Sequence, residues 1–283
     1  MIICMLNFTT RRSLKLKDVQ SLTDNRGIEI QRVGIKDIHL PFLIRTMDNG
    51  FQSVLANISL SVNLPQYFRG THMSRFVEIL TSWSEKPVSG HENRLILEET
   101  TQSLSASQAE LSLRFRYFLK QAAPVSHQQA FLDYRAEFWS RLSGKSYDYT
   151  LGVEVPVNSL CPCSKEISAY GAHNQRGVIR TRIRCHPKQY LWIEELVELL
   201  RNQGSAPIFP LLKREDEKFI TEKAYENPKF VEDVLRDSVL ALRSDQRIKW
   251  FDLEVETFES IHNHSAFASH TEKKAPAEPE QIL

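Results

Sequence analysis

The 283-residue sequence sets 36 lysines and arginines against 35 aspartates and glutamates, and 41% of its residues are hydrophobic. That mixture is globular, and its even charge supplies no global field to hold a nucleic-acid backbone or an anionic membrane. No apolar run approaches the ~20 residues of a membrane helix. The apolar opening MIICMLNF is followed by Arg11 and Arg12 rather than preceded by them, the reverse of a signal peptide. Four cysteines (Cys4, Cys161, Cys163, Cys185) make no disulfide framework in a chain of this size. The expectation is a cytoplasmic protein with neither nucleic acid nor membrane as a partner.

Residues 1–23 are polar and irregular and read as an N-terminal extension. IEIQRVGIKDIHLPFLI (28–44), rich in Ile and Val, predicts a strand. FQSVLANISLSVNLP (51–65) alternates more clearly, with Val54, Ile58, Leu60 and Val62 on one face, and MDNG (47–50) supplies hairpin-turn chemistry between the two. MSRFVEILTSWSE (73–85) repeats Phe76, Val77, Ile79, Leu80 and Trp83 at helical spacing. A second helix is predicted over SASQAELSLRFRYFLKQAA (105–123), stopped by Pro124. QQAFLDYRAEFWSRL (128–142) and YDYTLGVEVPVNSL (147–160) read as long strands joined through Ser143-Gly144-Lys145.

The second half repeats this rhythm. GVIRTRIRCH (177–186) alternates as a strand, QYLWIEELVELLRNQG (189–204) is an amphipathic helix with glycine at its end, and PKFVEDVLRDSVLALRSD (228–245) is another. IKWFDLEVETFES (248–260) reads as a strand, and the charged, proline-containing HTEKKAPAEPEQIL (270–283) as a disordered tail. Two halves of strand, strand, helix, helix, strand imply a duplicated α+β unit. GTHMSR (70–75) and GAHNQR (171–176) form a short echo of each other.

Four stretches concentrate chemistry. CPCSKEISAYGAHNQR (161–176) holds Cys161 and Cys163 around a proline, and an extended backbone there would point both side chains the same way. The spacing is not CxxC and is tight for two sulfurs on one zinc, so one reactive or ligating cysteine and two structural thiols both remain open. His173 is either a satisfied polar residue or, with a cysteine and a distant carboxylate, part of a site for a borderline divalent metal. FESIHNHSAFASH (258–270) places His262 and His264 on one side of an extended segment with Glu259 before them; it is a proton-shuttling cluster or a histidine-rich surface turn. In LLKREDEKFITEKAYENPKFVED (211–233) composition does not separate Glu217 and Glu232 from their acidic neighbours. LPQYFRGTHMSRF (64–76) sets Arg69, His72, Ser74 and Arg75 around a helix start, where backbone N–H groups attract anions.

Taken together, CPCSKEISAYGAHNQRG, VNLPQYFRGTHMSRF, LLKREDEKFITEKAYENPKFVED, SIHNHSAFA and the N-terminal DNRGIEIQRVGIKDIHLP closely resemble the prokaryotic GTP cyclohydrolase I family of the IB type, in order from about residue 24 to 268. The resemblance implies an α+β tandem tunnelling fold. Each of its two modules (24–145 and 146–269) would be an antiparallel sheet with two helices on one face, and the subunits would form a homo-oligomer, a tetramer, with active sites at subunit interfaces. It implies opening of the GTP imidazole ring at C8 with release of formate, giving 7,8-dihydroneopterin triphosphate for folate or related deazapurine pathways. It implies a divalent metal ion (zinc, manganese or iron) on Cys161, His173 and Glu217, with Cys161 as the reactive or ligating cysteine. Glu232 would anchor the guanine edge, Glu259 with His262 or His264 would move protons, and Arg69, His72, Ser74 and Arg75 would meet the triphosphate. Where Arg-Pro-Asp-Glu-Lys is expected of many members, this chain reads Arg214-Glu215-Asp216-Glu217-Lys218, which leaves open which acid faces the metal. Two rivals stand beside this reading: a tunnelling-fold reductase that attacks a deazapurine nitrile with cysteine and takes hydride from NADPH, and a non-enzymatic metal-binding assembly protein.

Overall fold

The structure is a computed structural model that describes residues 18–20 and 22–274. Most of the N-terminal extension, Cys4 and the last residues of the expected tail lie outside the described residues. The first hairpin follows the alternation of its sequence. Strands β1 (Ile30–Arg45) and β2 (Phe51–Leu64) pair antiparallel across a turn in which Asn49 takes a φ of 64°. Alternate residues of β2 from Val54 to Leu64 are buried, so one face of the sheet is committed to the core and the other to solvent. Helix α1 (Met73–Ser84) then lays Phe76, Ile79, Leu80 and Trp83 onto that buried face.

A short strand β3 (Pro87–Val88) pairs with the end of β1, and helix α2 (Gly90–Leu104) follows. The second helix of the first half is therefore here and not at 105–123, which is strand β4 (Gln108–Ala122). The physical reason is period. Ala109, Leu111, Leu113, Phe115 and Tyr117 are buried at every second position, whereas a helix would have spread them around its circumference. The true helix begins with a capping box, in which Ser89 Oγ accepts the His91 N–H and Glu92 accepts the Ser89 N–H.

Strands β5 (Gln129–Ser143) and β6 (Ser146–Leu160) form a long hairpin around Gly144, whose φ is 56°. The second half continues with α3 (Pro162–Ile167), β7 (Asn174–Cys185), α4 (Ile193–Arg201), β8 (Ala206–Pro207), α5 (Arg214–Glu226), α6 (Val231–Ser244), β9 (Ile248–Phe258) and β10 (Ser265–Lys273). β10 corrects the expected tail: His270 to Lys273 are paired strand residues opposite Leu253 to Trp250. Within the charged patch at 211–233, residues 214–226 form α5, with Asp216 and Ala224 buried.

One sheet runs β10-β9-β7-β6-β5-β4-β2-β1-β3, with β8 on β6. The first half is thus strand, strand, helix, helix, strand, strand, with β3 before its second helix and one strand longer than the sequence pattern suggested; the second half also ends in two strands but carries α3, α4, α5 and α6. The echoed hexapeptides occupy different junctions, GTHMSR between β2 and α1 and GAHNQR between α3 and β7, so they are not counterparts in the repeat. A single apolar core spans both halves, from Phe42, Leu60 and Leu80 to Val155, Leu196 and Leu242. Polar contacts join the halves too: Glu194 of α4 accepts both the Tyr117 O–H and the Met47 N–H. The other face of the sheet is a polar cleft of about 1000 Å³ lined by residues including Arg114, Glu137, Arg135 and Glu154. Cross-strand ion pairs Arg114–Glu137, Arg135–Glu154 and Arg180–Glu254 lie along it.

Candidate functional site

Five pieces of chain gather at one end of the sheet: the end of β6, the starts of β7 and β10, the end of β9 and the β4–β5 loop. Cys161 leaves β6 as the N-cap of α3, with Pro162 in the first turn, and its Sγ accepts the Ser164 N–H at 3.4 Å. Because the chain turns helical at once, Cys161 and Cys163 do not share an extended face. Cys161 is half-buried and Cys163 exposed. Cys185, on β7, is a packing thiol whose pKa burial pushes up to about 11.

His173 is drawn to Cys161 through the backbone. Cys161 N–H donates to His173 O at 3.1 Å, and His173 N–H donates to Ser164 Oγ at 3.1 Å. Gly171, at φ 68°, makes the turn that brings the two strands of this loop together. His173 Nδ1 lies 2.7 Å from Gln175 Oε1, and Gln175 Nε2 donates to Glu259 Oε1 at 2.9 Å. Thr257 Oγ1 donates to the same Glu259 oxygen at 2.8 Å. Gln175 escaped the sequence reading, although it lies inside GAHNQR and two residues from His173, on the same side of β7.

Helix α5 closes one side. Lys165 Nζ donates to Tyr225 O and stands 4.3 Å over the Tyr225 ring, while Ala172 and Ile220 pack on buried Leu160, Ala206 and Ala224. Glu217 precedes Ile220 by one turn and so lies on the side of α5 that faces this loop; it is exposed. Asp216 has a different task. It is fully buried and accepts hydrogen bonds from Val125 N–H, Ser126 N–H, Ser126 Oγ–H and Lys213 N–H at 2.6 to 2.9 Å. Burial alone would raise its pKa, but these donors, Ser126 foremost, outweigh it and hold the carboxyl well below the ordinary carboxylate range. Of the three acids at 215–217, Asp216 is thus occupied as the clamp between α5 and the β4–β5 loop. Glu215, at the position where proline was expected, is in the first turn of α5, where a missing or present N–H changes little.

Glu232 is exposed in the first turn of α6. The start of that helix is tied to the end of β6, since Lys229 N–H donates to Leu160 O at 3.0 Å and Ser159 Oγ–H to Lys229 O at 3.1 Å. His262 and His264 stack on each other in the exposed β9–β10 loop, with ring centroids 5.1 Å apart. Among the described residues, no three His, Cys, Asp or Glu side chains converge into a metal-ligand cluster. Cys161 and His173 share one hydrogen-bonded segment, and Glu217 stands apart on α5. In kind, a thiol, an imidazole and a carboxylate suit a borderline divalent cation.

The anion-binding candidates are at the opposite end. His72 is the N-cap of α1, with Nε2 3.4 Å from Asp18 Oδ2, and Arg75 Nη1 donates to Ser103 O at 2.6 Å. Arg69 and Ser74 are exposed. The ladder runs from Val62 to Ala109, from Ala109 to Leu142 and from Ser143 to Ser146, so this patch is level with the start of β6, whereas Cys161 follows its end. At ~3.3 Å per residue the 15-residue strand separates them by roughly 45 Å.

The type I GTP cyclohydrolase folE2 family matches residues 16–268. The GTP cyclohydrolase FolE2 of Magnetococcus marinus is 50% identical over 255 residues, covering 90% of this chain and 95% of that one. That of Citrifermentans bemidjiense is 48% identical over 254 residues, covering 90% and 94%, and that of Thermosipho africanus is 45% identical over 253, covering 89% and 96%. Among solved structures, uricase from Arthrobacter globiformis superposes with a TM-score of 0.55 at 7% identity, covering 89% of this chain and 96% of that one. That likeness is one of fold, the tunnelling fold. No helix among the described residues is long and apolar enough to cross a membrane. With the match extending over nearly the full span from the first strand to the last, the chain belongs to the type I GTP cyclohydrolase FolE2 family.

Proposed function

We propose that this protein is a GTP cyclohydrolase I, a hydrolase that opens the imidazole ring of GTP at C8, releases formate and yields 7,8-dihydroneopterin triphosphate, the entry to folate biosynthesis. The observation that carries the reading is the segment in which Cys161 and His173, twelve residues apart, are held together by reciprocal backbone and Ser164 hydrogen bonds beside Glu259. Cys161, His173 and Glu217 would hold a divalent cation of the zinc, manganese or iron kind. When bound, that cation lowers the pKa of water and so provides a nucleophile for C8 near neutral pH.

The chain's own residues divide the remaining work. Glu232 accepts the N1–H and 2-amino hydrogens of guanine, a two-point recognition that a carboxylate is shaped for. His262 or His264 gives N7 its proton as the ring opens, and Glu259 keeps one oxygen free for proton exchange while the other is engaged by Gln175 and Thr257. The triphosphate falls to Arg69, His72, Ser74 and Arg75. Since roughly 45 Å of β6 separates those groups from Cys161, they come from another copy of the chain. The active unit is on this reading a homo-oligomer, with tetramer as the proposed state, and the proposed module boundary is the β5–β6 turn, giving modules 24–145 and 146–273, the second extended from the expected 269 to the end of β10.

Purified protein incubated with GTP should release formate and develop the pterin chromophore in equal amounts. Consumption of NADPH with a deazapurine nitrile, and none of GTP, would overturn the proposal. Cys161→Ala should abolish turnover with little change in Tm; unfolding of that variant would instead favour a structural role for the metal.

A further inference from the structure

We infer that Gln175 is a positioning residue that fixes the tautomer of His173 before any cation arrives; this rests on the reading of His173 as a ligand. The argument is one of donors and acceptors. Glu259 Oε1 already accepts the Thr257 hydroxyl, and an ionised carboxylate has only acceptors to offer. The Gln175 side-chain atom 2.9 Å from it must therefore be the amide nitrogen, because a flipped amide would set two oxygens against each other. That orientation turns Gln175 Oε1 toward His173 Nδ1 at 2.7 Å. A carbonyl oxygen only accepts, so the neutral imidazole carries its proton on Nδ1 and leaves the Nε2 lone pair free.

The sheet, not the ligand, sets this arrangement. Gln175 is 9% exposed and Thr257 1%, and the pairing of Gly177 with Thr257 puts β7 and β9 in the register that brings Gln175 beside Glu259. Thr257, Glu259 and Gln175 thus form a chain of three polar groups ending on His173. An outer partner of this kind usually contributes 10–100-fold to metal affinity by orienting the ring. The Nε2 lone pair of His173 is in this way ready in the metal-free protein.

The test is the ring ¹⁵N spectrum of the metal-free protein with labelled histidine, His173 being assigned by its loss in His173→Gln, together with titration by zinc alone against a chromophoric chelator. Wild type should show the tautomer protonated on Nδ1. Gln175→Leu should mix the tautomers and weaken zinc binding by about 10–100-fold. The exchanged pair Gln175→Glu with Glu259→Gln rebuilds the chain with donor and acceptor reversed at its middle, and should restore the wild-type tautomer and most of the affinity. A wild-type ring protonated on Nε2, or a tautomer unchanged in Gln175→Leu, would overturn the inference. So would failure of the exchanged pair to restore the tautomer. If the tautomer responds as expected but neither Gln175→Leu nor His173→Gln alters zinc binding, the positioning stands and the ligand assignment of His173 is what fails.

Discussion

The three described cysteines illustrate how environment and not residue type decides chemistry. Cys163 is exposed at the start of α3, Cys161 is half-buried at its N-cap, and Cys185 is packed against the core with a pKa pushed up to about 11. At pH 7.5 iodoacetamide should label Cys163 readily and leave Cys185 untouched in the native protein, as peptide mapping would show; labelling of Cys185 at a similar rate would mean that β7 opens there. The proposed substrate contacts separate in the same way. Glu232→Ala should raise KM for GTP most, by on the order of 10- to 100-fold for a charge-assisted pair worth roughly 1.5–3 kcal/mol. His262→Ala should lower kcat with KM nearly unchanged, the mark of a group that acts on the reacting bond. Steady-state kinetics at saturating metal separates them, and near-wild-type turnover in both would remove these roles. The candidates themselves were legible in the motifs, because the polar residues proposed to recognise guanine and phosphate cluster in short stretches. Gln175 was not, since an amide in a strand carries no signal until its neighbour across the ladder, Glu259, is known.

Among the elements, strands and helices declared themselves wherever one period dominated, as in β2 and α4. β4 misled because LRFRYFLK places aromatic and aliphatic residues on both sides of the strand, Phe118 and Leu119 included, and a dense apolar run satisfies either template. The capping box at Ser89 and Glu92 was the better marker of the neighbouring helix. α5 leaves little apolar pattern in the sequence, since only Asp216 and Ala224 of its 13 residues are buried; its position depends on the clamp at Asp216, a contact 90 residues away in sequence that no local pattern encodes. That clamp has a pH signature. The folded-state pKa of Asp216 lies below the unfolded value, so the unfolded chain takes up the proton first as pH falls. Its contribution is complete above the ordinary carboxylate pKa and declines below it, toward the depressed folded value. The Tm difference between wild type and Asp216→Asn should therefore be largest near neutral pH and shrink below about pH 4. A difference independent of pH between 3 and 7 would assign the stabilisation to shape and not to charge.

The complete chain shows a division that no single element reveals. Its candidate anion-binding residues and its cysteine–histidine segment stand at opposite ends of the same sheet, although the motifs for both are equally plain in the sequence. Under the proposed function these are two half-sites, each lacking what the other end of a neighbouring copy would supply, in keeping with the expectation of sites at subunit interfaces. A closed two-fold pairing of copies would complete two such sites at once. The most direct measurement is complementation between inactive variants. Cys161→Ala and Arg69→Ala proteins, each without measurable GTP turnover, are mixed in equal amounts, dissociated, reassembled and assayed for formate. Random pairing leaves about a quarter of the sites with an intact half from each chain, so about a quarter of wild-type turnover should return. A mixture that stays inactive, although shown by mass spectrometry to contain both variants in one assembly, would contradict a site shared between chains.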